Sequence, residues 1–242
     1  MIEKIYHKLV SIIKKIQYYY SVNWTKTLYF NFKKFPFSVA IKFPVFFYGK
    51  VKFQSIKGKI TINAPIKRGM IGFSRAFEMN TARIGIAELM LDGEIIFNGS
   101  VYFGKDCFVY VKKDAVLEMG HMSLMASRGK IICTNKITFG TYTRIGSESQ
   151  VMDTNFHPII NTQTNLSYPM TAPIELGSYN WLSNRVTIFS KTKTPDYCII
   201  ASNSVCSRDY SSLGSNVLIG GVPAVLVKEN ISRDWNSENL EF

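Results

Sequence analysis

Imidazole is the one side chain whose ordinary pKa lets it take up and release a proton near neutral pH. The 242-residue chain has three: His7, His121 and His157. His7 stands among lysines near the start. His121 follows Gly120 with no motif around it. His157 stands in VMDTNFHPII, residues 151–160, where a regular pattern breaks off. The other chemistry-bearing residues offer less. Cys107, Cys133, Cys198 and Cys206 form no CxxC pair and have no histidine at zinc-finger spacing. That argues against a metal site and against a disulfide framework, and a reduced setting is the default. No serine has the G-x-S-x-G context of an activated nucleophile. The sequence thus offers a candidate general base without a candidate covalent nucleophile.

The pattern around His157 is a beat of six. It runs Leu91, Phe97, Phe103, Val109; after an offset Met119, Met125, Ile131, Ile137; after a two-residue offset Phe139, Ile145, Val151. It stops, then resumes at Leu176, Leu182, Ile188, Thr194, Ile200 and Cys206. Four residues after these positions the side chain is usually small or slim: Val101, Cys107, Ser123, Gly129, Thr143, Ser149, Val186, Thr192, Cys198, Ser204. Lys113, Asn135 and Asn180 are among the exceptions. Internal repeats outweigh local propensity in setting a fold. Three six-residue strands per turn make a triangular coil, with the apolar residue inside and the slim one near a corner. Gly104, Gly120, Gly140, Gly146 and Gly177 suit the tight corners. A parallel β-helix solenoid of this kind needs covers at its ends.

The formal net charge is +12, and residues 1–50 hold nine lysines against one acid, Glu3. Ile2, Ile5, Leu9, Ile12, Ile13 and Ile16 recur at helical steps with Lys4, Lys8 and Lys15 between them, which predicts a basic amphipathic helix. Such a helix packs as a cap or touches an anionic membrane surface. No apolar stretch reaches the length of a membrane-spanning helix, because Lys33, Lys34, Lys42, Pro36 and Pro44 interrupt the aromatic segment. No signal peptide is legible. No RNP motif, zinc finger or helix-turn-helix pattern supports nucleic-acid binding. The reading divides the chain into a basic segment 1–50, a coil 51–210 with an extruded loop 152–173, and a tail 211–242 that closes the coil.

FGTYTRIGSESQVMDTNFHPI, LGSYNWLSNRVTI, IIASNSVCSRD and GGVPAVLVK together resemble the hexapeptide-repeat acyltransferases, over roughly residues 50–230. The nearest flavour is the group that acetylates sugars in bacterial capsule and lipopolysaccharide synthesis, and the chain is similar also to maltose and galactoside acetyltransferases. The resemblance implies an all-β fold, a left-handed parallel β-helix, with acetyl-CoA as co-substrate and no metal. It implies a homotrimer, with a loop like 152–173 reaching a neighbouring subunit. The γ-class carbonic anhydrases share that fold but need three histidine ligands, and this coil has too few.

The resemblance assigns roles by position. His157 is the general base that takes a proton from the acceptor hydroxyl. Asp153 and Asn155 orient the imidazole, hold the acceptor or simply form a turn. Trp181, Asn184, Ser202, Ser207, Arg208 and Lys228 fall where family members contact acetyl-CoA, while Val225 stands where sugar acetyltransferases have an arginine. The expected activity is an O-acetyltransferase on a saccharide, free, lipid-linked or polymeric, by direct transfer in a ternary complex. The alternatives are N-acetylation of a nucleotide-linked amino sugar and a non-catalytic β-helix used for assembly. The expected location is cytoplasmic, with possible peripheral contact at the inner membrane face through the basic segment.

Overall fold

A computed structural model of the chain describes Tyr6, Val10, residues 19–75 and residues 85–237. Most of the helix expected over the first twenty residues, His7 included, lies outside the described residues. From Val45 onward the chain winds as a three-walled coil. The first wall stacks Val45–Phe47, Ile71–Phe73, Val101–Phe103, Ser123–Met125, Arg144–Ile145, Trp181–Leu182, Cys198–Ile200 and Val217–Gly221, all parallel. The second stacks Val51–Ile56, Ala87–Leu91, Phe108–Val111, Lys130–Cys133, Gln150–Met152, Thr187–Ile188 and Val205–Cys206. The third stacks Lys59–Ile62, Glu94–Phe97, Val116–Met119, Lys136–Phe139 and Ile174–Leu176. The coil therefore begins before residue 51 and continues past 210. This is the left-handed parallel β-helix.

The inward column of the first wall reads Phe47, Phe73, Phe103, Met125, Ile145, Leu182, Ile200, Ile219, each buried. Phe47, Phe73 and Phe103 stack ring on ring, at 5.2 and 4.4 Å between centroids. The two-residue offset of the beat has a simple cause. Ile137 and Phe139 both lie on the third wall and both point inward, so that wall is longer by one inward–outward pair. The polar exceptions at inner positions satisfy one another. Thr194 Oγ1 donates to Asn180 Oδ1 at 2.6 Å and accepts from the Gly177 amide at 3.1 Å, while Asn180 Nδ2 donates to the Pro195 carbonyl at 2.8 Å.

At the start of the coil the first wall has a bare edge, and helix α1 (Trp24–Lys34) covers it. Phe30 packs on Phe47 and Phe53, at 5.0 and 5.7 Å. The buried Asn31 side chain acts as an extra rung. It donates to the Val45 carbonyl at 2.7 Å and accepts from the Val45 amide at 3.2 Å. Thr27 Oγ1 accepts from the Phe47 amide at 3.1 Å. At the far end Ala224–Glu229 folds back antiparallel on Val217–Gly221. Asn31→Leu keeps the volume and strips both Val45 groups of their partner, at a cost of about 1–3 kcal/mol for each orphaned group. We expect a lower denaturation midpoint with an unchanged far-ultraviolet spectrum; an unchanged midpoint would contradict the edge-covering role.

Candidate functional site

The rung that contains His157 differs from the others in length. Trp181 pairs with Ile199, eighteen residues on, whereas Arg144 pairs with Trp181, thirty-seven on. The surplus is the extruded loop, which leaves the edge between the second and third walls after Met152 and returns at Ile174. It is a hairpin. Thr154 bridges Thr171, the Asn155 amide donates to the Met170 carbonyl at 2.9 Å, and Ile159–Ile160 pairs antiparallel with Ser167–Tyr168. Asn161 turns the tip, its Oδ1 accepting from the amides of Gln163 and Thr164 at 2.9 and 3.0 Å. Residues 155–170 are exposed apart from half-buried Asn161, so the hairpin stands off the coil.

His157 sits at the base of the hairpin, exposed, between Phe156 in the left-handed backbone region (φ 61°) and Pro158. Asn155, also exposed, is two residues away. Asp153 has a different task from the orienting or acceptor-binding one expected of it. It is wholly buried. Its Oδ1 accepts from the Thr134 amide and hydroxyl at 2.7 and 2.8 Å, and its Oδ2 from the Asn135 amide at 2.7 Å. A carboxylate taken out of water needs several donors, and the corner of the preceding rung supplies them. Asp153 thus pins the hairpin's root, away from solvent. Sequence reasoning also missed the hairpin's surface. Phe156, Ile159, Ile160, Leu166, Tyr168 and Met170 are all exposed on it.

The remaining candidates fall on different edges. Asn184 and Ser202 hold the same corner position one rung apart, on the edge between the first and second walls; both are exposed. Asn184 Oδ1 accepts from the Ser147 amide at 3.0 Å. Ser207 and Arg208 are exposed on the hairpin's own edge, and Arg208 lies over the Tyr210 ring at 5.9 Å. Trp181 is partly exposed on the first wall. Lys228 is exposed on the closing strand opposite Leu218, near exposed Val225. The tail returns onto Trp181, a contact that no spacing announced. The Arg233 guanidinium lies 5.4 Å from the Trp181 ring and 4.8 Å from that of Trp235, which packs edge-on against Tyr179.

No family model matches the chain, and no curated protein matches it in sequence. Solved structures do. The chain resembles the polySia-specific acetyltransferase NeuO with a TM-score of 0.50 and 17% identity, over 81% of this chain and 80% of that one. It resembles the polysialic acid O-acetyltransferase OatWY with a TM-score of 0.50 and 19% identity, over 78% of this chain and 94% of that one. The fold is that of the hexapeptide-repeat acetyltransferases. On this hexapeptide-repeat coil the cysteines are packing residues: all four are buried.

Two expectations follow. Asp153→Ala should speed hydrogen exchange at the amides of Thr134 and Asn135 and open residues 155–170 to proteolysis while the coil stays folded; unchanged exchange there would show that Asp153 does not hold the root. Burial pushes the thiols of Cys107, Cys198 and Cys206 up to about 12 from 9.0. Folded pKa values above the unfolded one give stability that is complete below about pH 9 and is lost as pH rises toward 12. The denaturation midpoint should fall over that window, and thiol alkylation at pH 8 should wait on unfolding; prompt labelling of the native protein would contradict the burial.

Proposed function

We propose that the chain is an acetyl-CoA-dependent O-acetyltransferase that acylates a saccharide hydroxyl, with His157 as general base in a site between subunits of a homotrimer. One observation carries the reading: the hairpin that interrupts the repeat presents His157 at its exposed base. A filled prism has no interior cavity, so a site on it is built outside. A hydroxyl is a weak nucleophile at neutral pH and needs a base as the new bond forms. In the step proposed, His157 Nε2 or Nδ1 takes the hydroxyl proton and the oxygen attacks the thioester carbonyl. The tetrahedral oxyanion is held by backbone N–H groups, and CoA leaves as the thiol with the proton returned. Buried thiols with raised pKa values do not favour a covalent acyl-cysteine.

The candidate cofactor residues support an extended, phosphorylated thioester by their chemistry. Asn184, Ser202 and Ser207 offer amide and hydroxyl groups, Trp181 an apolar face, Arg208 and Lys228 charge for phosphates. Their placement supports a second copy. His157 rises from one edge of the prism and Asn184 with Ser202 lies on another, across the second wall. One rigid prism cannot fold two of its own edges together, whereas two prisms side by side bring different edges face to face. The six exposed apolar side chains of the hairpin would then be covered by the neighbour. NeuO and OatWY are, by name, acetyltransferases of polysialic acid, which supports a saccharide acceptor and makes that polymer the first acceptor to offer.

The test is release of free thiol from acetyl-CoA in the presence of a panel of sugars and sugar polymers. His157→Ala should lower turnover by about 10²–10⁴-fold while light scattering still reports a trimer and acetyl-CoA still binds. Near wild-type turnover in that variant would remove His157 from the reaction. A fully active monomer at high dilution would remove the shared site.

A further inference from the structure

The covering helix has a second face. Solenoid ends are kept soluble by a polar outer surface on the cap. Here the outer surface is apolar. Leu28, Tyr29 and Phe32 of α1 are exposed, as are Phe37 and Ile41 just beyond it, and Phe37 is 72% exposed. The rings of Phe32 and Phe37 lie 6.1 Å apart, which joins the helix to the segment after it. Lysines 26, 33, 34 and 42 surround it in sequence.

The charge is of one sign. Between Glu3 and Glu78 the sequence has fifteen Lys and Arg and no acid. Eleven of these cations fall in residues 19–75, on the cap and the first turns of the coil. Lys34 shows the crowding, since burial and the adjacent Lys33 lower its pKa. On the flank Lys33, Lys34, Lys57, Lys59 and Lys113 line an open groove of about 640 Å³ where Asp92, Glu94 and Asp114 interleave the cations, and Glu88 stands opposite Lys52 on the second wall.

We propose that this end of the coil docks on an anionic lipid bilayer, with the patch around Phe32 and Phe37 entering the interface and the lysines meeting the headgroups. The inference is independent of the catalytic reading. Three occupants suit an exposed apolar face, and the chemistry separates them. A second copy docked end to end would oppose two copies of the stretch 24–42, which holds lysines and no acid, and these repel. A soluble polyanion would take the charge and leave the apolar side chains in water. An anionic bilayer takes both, as interfacial helices with aromatic and basic residues do. No helix among the described residues is long and apolar enough to cross a membrane, so the contact is on the surface.

The experiment is sedimentation of the full chain with vesicles of phosphatidylcholine alone and of phosphatidylcholine with a third phosphatidylglycerol, at low and high salt. The expected result is pelleting with the anionic vesicles alone, weakened by salt. Phe32→Ser with Phe37→Ser should weaken it about tenfold or more, since two rings would no longer be withdrawn from water. Lys33→Glu with Lys42→Glu should abolish it. Both pairs are exposed, so thermal midpoints and acetyl transfer to a soluble acceptor should stay at wild-type levels. Binding to neither vesicle at low salt overturns the proposal. So does undiminished binding by the phenylalanine variant, which would mark a charge-only polyanion site. A dimer of trimers that the same variant dissolves, without vesicle binding, would assign the patch to a second copy instead.

Discussion

A Cβ added to Gly140 would stand 2.4 Å from the amide nitrogen of Ser178, and one added to Gly120 would stand 2.4 Å from the backbone of Gly140. These glycines do not have positive φ angles; their need is space. Rungs at the corners are stacked with no room for a side chain between them. That contact lets the three walls keep continuous parallel hydrogen bonding from one rung to the next, and it makes the prism narrow. A narrow prism is filled by a single inward residue per wall and rung, or two where a wall is longer. Its interior is filled by those side chains, so binding and chemistry are displaced to edges, ends and loops. The extruded hairpin, the covering helix and the returning tail all answer to this one limit of space.

The period was legible for the same reason. A single inward position on each wall admits Leu, Ile, Val, Met or Phe and excludes charge, so the beat survives in the sequence. Asn180 and Thr194 disturb it because they hydrogen-bond one another inside the coil, and such pairing has no signature in spacing. The other conformational requirement of the corners was hidden. Tyr142, Tyr179 and Tyr197 all adopt left-handed φ, near 55–57°, in a column where Tyr179 stacks on its neighbours at 5.2 and 4.7 Å. A position that needs positive φ ordinarily announces itself as glycine or asparagine. Here stacked rings hold it, and a tyrosine in a sequence says nothing of backbone handedness.

The place of His157 on the extruded hairpin was legible because it stands where the beat fails. Asp153 was not, because an acid four residues before a histidine suits an orienting partner as well as an anchor. What separates the two is the preceding rung's corner, whose three donors converge on the carboxylate. On the proposed function the anchor serves the site, since a base on a projecting hairpin is only as well placed as the hairpin's root. A loop fixed there by a buried, charge-assisted network loses little entropy when a substrate arrives.

The two ends of the coil differ in how they meet solvent, and the difference argues that they serve different partners. The closing hairpin exposes Val222, Val225, Leu226 and Val227, but Lys228 and Glu229 of both signs follow at once. The opening end exposes aromatic rings on a stretch, residues 24–42, whose charges are all lysines, with acids only on the neighbouring turns of the coil. Covering a wall's edge required only the inner face of α1, with Thr27, Phe30 and Asn31. Nothing in that task calls for Leu28 and Phe37 outside, and ordinary solubility weighs against them. An outer face that is both apolar and of one sign is matched by a surface that is itself apolar beneath and oppositely charged above. On that argument the stretch from Trp24 to Ile41 has two faces set by two media, the coil's dry first rung on one side and a headgroup layer on the other.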